Sequence, residues 1–95
     1  MIASFNGQIL ANSDDIVIVE GNAYFPKDSL NMDLFDPSNT TTICGWKGEA
    51  SYFSALVNGV KNEDCAWYYA DPKEAASEIK DRVAFWKGVE ITESL

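Results

Sequence analysis

Apolar residues in this chain come in short runs separated by glycine- and asparagine-containing pairs, the pattern of strands joined by tight turns. Ile16–Val19 and Ala23–Phe25 flank a Gly21-Asn22 turn signal and predict a β-hairpin whose second strand ends at Pro26. Residues 26–30 predict one helical turn, and Asp36-Pro37-Ser38-Asn39 a turn or loop. Thr40–Cys44 is β-branched and reads as strand; Ala50–Val57 is aromatic and β-branched and closes on Asn58-Gly59, a strong hairpin signal. The expected return strand is Cys65–Ala70, after a small polar loop. A helix is predicted from Asp71 as N-cap, with Pro72 at its first position, Glu74 three residues after the cap and Ala75, Ala76 and Ile79 on its apolar face, ending near Asp81. Val83–Trp86 and Val89–Ile91 around Lys87-Gly88 predict a terminal hairpin. The sum is a mainly β fold of seven or eight short strands with one or two short helices.

Length adds that residues 1–95 form one domain with one core, without an internal repeat or linker. A hydrophobic content of 46%, with five Phe, four Tyr and three Trp, is enough to build that core. Fifteen acidic against seven basic residues give a net charge of -8, which repels phosphate backbones and argues against nucleic acid as a partner. The longest clean apolar run, Ile16–Val19, is far too short for a membrane helix. The segment 1–6 lacks the basic and apolar regions of a secretory signal, so a cytoplasmic protein is expected. There Cys44 and Cys65 are expected as thiols rather than a disulfide.

The absence of histidine excludes Ser-His-Asp and Cys-His catalysis and histidine metal ligation. Two cysteines without a CxxC pair cannot make a structural zinc site, and neither a calcium loop nor a phosphate-binding glycine motif occurs, so no metal or cofactor is expected. The stretch 42–52 is distinctive because Gly45 and Gly48 bracket Trp46 and Lys47 at the start of a strand. Glycine there would allow a close turn presenting Trp46 and Lys47 to a cavity; the alternative is a plain turn with Trp46 in the core and Lys47 in solvent. Trp67-Tyr68-Tyr69 is a second aromatic cluster, with Trp67, Tyr69 and Cys65 expected on one strand face. Cys44, three positions before Lys47, is a candidate thiolate, against the commoner inert buried cysteine.

Four ordered blocks carry a resemblance: 19–26 (VEGNAYFP), Cys44-x-Trp46-Lys47-Gly48-x-Ala50-x-Tyr52, 66–72 (AWYYADP) and Val83-Ala84-Phe85. Together, over about residues 16–91, they resemble the domain of unknown function 427 family, sometimes labelled nucleotidyltransferase-like. The resemblance implies two antiparallel sheets packed at an angle, similar to Mss4-like or β-tent domains. Zinc sites common in that wider fold do not carry over, because their ligands are missing here. Nor are there paired carboxylates beside a Gly-Ser motif to support a nucleotidyl transfer. The family often has proline where this chain has Gly45, a change expected to loosen the turn that positions Trp46 and Lys47.

The leading functional expectation is a small-ligand-binding domain with a pocket between the sheets, lined by Tyr24, Trp46, Tyr52, Trp67 and Tyr69, in which Lys47 fixes a polar or anionic group. A protein-interaction module ranks second, and an enzyme using Lys47 or Cys44 third. A monomer or weak homodimer is expected, with no membrane partner.

Overall fold

The computed structural model describes residues 1–93. It is mainly β, with nine strands in two antiparallel sheets. A three-stranded sheet has the order β2-β1-β9, from β1 (Ile2–Phe5), β2 (Gln8–Asn12) and β9 (Glu90–Thr92). The six-stranded sheet runs β3-β4-β8-β7-β6-β5, from β3 (Val17–Val19), β4 (Asn22–Pro26), β5 (Phe35–Cys44), β6 (Gly48–Val57), β7 (Val60–Tyr68) and β8 (Arg82–Phe85). Among the described residues no helix is long and apolar enough to cross a membrane.

Strand alternation sorts the core into two clusters on opposite faces of the large sheet. Phe25, Phe53, Val83 and Phe85 point to one face and pack against Ala3, Leu10 and Ala11 of the small sheet. Their neighbours Tyr24, Ala50 and Ala84 point to the other face, where Tyr69, Ala76 and Ile79 join them. The inter-sheet layer is therefore filled by side chains. The second face carries the aromatic row.

The hairpins expected around residues 20 and 58 form through two-residue turns. In the first, Val19 pairs with Asn22 and the turn is Glu20-Gly21 rather than Gly21-Asn22, both residues having positive φ. In the second, Val57 pairs directly with Val60, so no polar loop intervenes. The polar residues Lys61–Asp64 are part of β7, with Lys61 and Glu63 exposed and Asn62 and Asp64 half-buried, while the facing strand buries Ala55 and Val57 in the core. Asp64, at φ 55, breaks the alternation, and Cys65 therefore packs in the inter-sheet cluster rather than beside Trp67 and Tyr69. The Asp36–Asn39 cluster is not a loop either. It lies within β5 as an irregularity between Pro37 and Thr41, on the edge strand of the sheet, where proline is tolerated.

Two further expectations fail for identifiable reasons. The segment after Asp71 is a 3-10 element, Glu74–Ile79, kinked at Ala76, with Lys73 rather than Asp71 at its start and no side-chain cap. The Lys73 amide donates to the Lys47 carbonyl at 2.9 Å, which holds Lys73 extended and prevents a helix from starting at Pro72. Ala76 and Ile79 are buried and Ala75 is exposed; that spacing of three suits a 3-10 repeat. The terminal hairpin does not form because β8 is hydrogen-bonded on both sides, to β4 and β7, leaving no edge for β9. Past the Lys87-Gly88 turn the chain crosses to the small sheet and pairs with β1. The hairpin β1–β2, turning on Asn6-Gly7, was not anticipated.

Candidate functional site

The site is built on the face of the large sheet turned away from the small one, so it is not a pocket between the sheets. Tyr52 on β6 pairs with Trp67 on β7, which pairs with Ala84 on β8, so all three share this face. Alternation then puts Trp86, just past β8, beside Trp67; the two indoles meet edge to face with centroids 5.9 Å apart. Lys47, Tyr52, Trp67, Tyr69 and Trp86 wall a recess of about 160 Å³.

Lys47 enters this face from the β5–β6 turn. Gly48 follows it at φ 116, a backbone conformation that residues with a side chain rarely adopt, and the 71–73 segment packs over it, the Asp71 carbonyl lying at ordinary contact distance (3.5 Å) from its Cβ position. The Lys73–Lys47 backbone bond and a bond from Lys73 Nζ to the Gly45 carbonyl (2.6 Å) hold the two segments together. Gly45 has no such role: its φ lies outside the left-handed region and the space around its Cβ position is open. The expected loosening by glycine in place of proline is thus countered by the Lys73 clamp.

Lys47 is only 7% exposed. Its ammonium lies 5.4 Å from the Tyr69 ring centroid and 5.5 Å from that of Trp46, and it donates to Glu20 on the opposite hairpin turn. Burial works against the charge, but the Glu20 hydrogen bond and the surrounding coulombic contacts outweigh it and raise the Lys47 pKa above the ordinary lysine range. The direction of this shift favours the protonated ammonium at neutral pH. Burial also raises the Tyr24 and Tyr69 phenols, against the opposing pull of the Trp67 bond at Tyr24 and of Lys47 at Tyr69.

Of the six residues singled out in the sequence, Lys47, Tyr52, Trp67 and Tyr69 line the recess. Tyr24 is fully buried behind it and accepts a hydrogen bond from the Trp67 indole N–H at 3.1 Å, with the rings edge to face. Trp46 stands at the rim, 41% exposed, so it belongs neither to the core nor to the recess wall. Tyr52 is held by a hydroxyl contact with Thr42 at 2.9 Å. The residue missed was Trp86; its alternation with Ala84 was the available signal, hidden by assigning this strand to a terminal hairpin.

Cys44 is half-buried and packs with the aromatic face, whereas Cys65 is buried in the inter-sheet core, where burial pushes its thiol pKa up. The two are not bonded. Among the described residues no group of three or more Cys, Asp or Glu side chains could hold a metal ion.

Comparison with curated proteins finds none that matches. A family profile described as domain of unknown function (DUF427) matches residues 1–94, further at both ends than the four blocks quoted above. The chain belongs to the domain of unknown function 427 family.

Proposed function

We propose that the protein is a small-ligand-binding domain whose site is the aromatic recess around Lys47. The observation that carries this reading is a buried, charged ammonium set among aromatic rings that wall a concave site. Such a site recognises a planar group by its ring faces and an anionic or hydrogen-bond-accepting group by the cation. A recess of about 160 Å³ is smaller than the roughly 300–1,000 Å³ of drug-sized pockets, so it suits one ring with a carboxylate, or a comparable end group, of a ligand whose remainder lies outside. Glu20 occupies one of the ammonium's three donors from a half-exposed position. An anionic ligand would take Glu20's place.

Trp46, Trp67 and Trp86 all lie at or beside the recess, so intrinsic fluorescence reports occupancy. The test is a fluorescence and thermal-shift screen of aromatic and heteroaromatic carboxylic acids against wild type and Lys47→Met. Binding that weakens in Lys47→Met supports the proposal; acids that bind both proteins equally, or neither, refute it. A protein-interaction module is the second reading, favoured by the exposure of Trp46 and Trp86 at the rim. A screen without hits, together with specific capture of a peptide by that rim, would favour it.

A further inference from the structure

A second concavity lies at the other end of the β4–β8 pair, where Pro26 faces Arg82. It measures about 600 Å³, within the range of small-molecule sites, and is lined by Pro26, Lys27, Asp28, Met32, Lys80, Asp81 and Arg82. It shares no lining residue with the aromatic recess. Three of these seven residues are basic, in a chain where only seven of 95 are, so nearly half of the scarce positive charge gathers at one hollow.

The walls are fixed. The Lys27 amide donates to the Asp81 carbonyl at 2.9 Å, and the Arg82 fork donates to the backbone carbonyl and carboxylate of Asp15 at 2.9 and 3.0 Å. The two lysines, by contrast, are unpaired: among the described residues no carboxylate lies within ion-pair distance of Lys27 or Lys80. Lys27 instead rests 5.7 Å from the Tyr68 ring centroid, above a narrow cleft that also reaches Asp81 and Arg82. Asp28 and Asp81 supply hydrogen-bond acceptors at the same mouth.

We propose that this hollow binds a phosphomonoester of a small polyol, the phosphate lying between Lys27 and Lys80 and the hydroxyl groups donating to Asp28 and Asp81. A phosphate monoester carries close to two negative charges at neutral pH and is suited to two unpaired ammonium groups; the carboxylates, which repel a bare anion, are matched by hydroxyl donors on the same ligand.

The test is titration calorimetry with glycerol 3-phosphate, inorganic phosphate and glycerol. Wild type is expected to bind glycerol 3-phosphate more tightly than inorganic phosphate, and not to bind glycerol. Lys27→Met/Lys80→Met should weaken the ester by about tenfold per lysine, the loss of a charge-assisted hydrogen bond each, while Lys47→Met leaves it unchanged. Both lysines are exposed, so the double variant is expected to fold. Asp28→Asn/Asp81→Asn should remove the preference for the ester over inorganic phosphate, and asparagine tolerates the left-handed backbone of Asp81 at φ 61. No binding of the ester by wild type, undiminished binding by the lysine variant, or a preference that survives the Asp substitutions would overturn the assignment.

Discussion

Neutralising Glu20 should cost the protein more than neutralising its partner Lys47, although the two form a single ion pair. Lys47 is 7% exposed, whereas the Glu20 side chain is 52% exposed. Glu20→Gln leaves a buried ammonium facing two rings and an amide. The desolvation of Lys47, already the largest influence on its pKa, then acts with much less opposition. Loss of a charged partner from a buried group costs about 1–3 kcal/mol, and solvent beside Glu20 places this case near the middle, about 2 kcal/mol. That corresponds to roughly 10 °C in Tm for a domain of this size. Lys47→Met keeps the apolar stem against Trp46 and Tyr69 and leaves Glu20 hydrated, so its cost should stay within about 1 kcal/mol. The double variant should match Lys47→Met alone. In wild type the lysine pKa is raised on folding, so this stabilisation is complete below the unfolded-state value near ~10.4 and is lost as pH rises through the folded one. In Glu20→Gln, burial lowers the folded pKa, so the penalty is complete at neutral pH and relieved on going alkaline. The two stability curves should therefore draw together only on the alkaline side and meet only where wild-type Lys47 itself loses its proton, above the ordinary lysine range. Urea denaturation followed by tryptophan fluorescence measures all of this. A Glu20→Gln cost no larger than that of Lys47→Met would mean that the buried ammonium does not depend on its carboxylate partner.

Trp67→Phe should cost about 1–2 kcal/mol in urea unfolding, because the fully buried Tyr24 hydroxyl loses its indole donor; adding Tyr24→Phe should recover part of that loss. Gly48→Ala should destabilise by about 1 kcal/mol or more through its φ of 116, whereas Gly45→Ala should be neutral or stabilising by up to about 1 kcal/mol; thermal melts separate the pair. In the native protein an aromatic disulfide reagent should label half-buried Cys44 well before Cys65, which should react only on unfolding; equal native rates would contradict the packing.

Turn chemistry made much of the fold legible. Glycine after Glu20 and after Asn58 fixed two hairpins, and β-branched and aromatic runs marked their strands. What stayed hidden depended on partners distant in sequence. Lys73 cannot begin a helix while its amide is bound to Lys47, and residues 90–92 cannot fold back on β8 when both edges of that strand are taken. The polar run Lys61–Asp64 has the composition of a loop, and its strand character comes from pairing with β6, whose Ala55 and Val57 supply the apolar side of that hairpin. The candidate site was legible as residue types and alternation, which grouped Trp67 and Tyr69. That Glu20, on the opposite turn, meets Lys47 had no local signal, and the filling of the inter-sheet layer by Phe25, Phe53, Val83 and Phe85 is what moves the recess to the outer face.

Amide and indole NMR spectra, recorded while the tightest-binding aromatic acid is titrated in, show directly whether the Lys47 recess is where a ligand binds. The largest shifts are expected on the Trp67 and Trp86 indole N–H groups and on the amides of Lys47, Tyr52 and Tyr69, and the Lys47→Met variant is expected to lose them. Shifts confined to other residues, or unchanged in that variant, would contradict binding there.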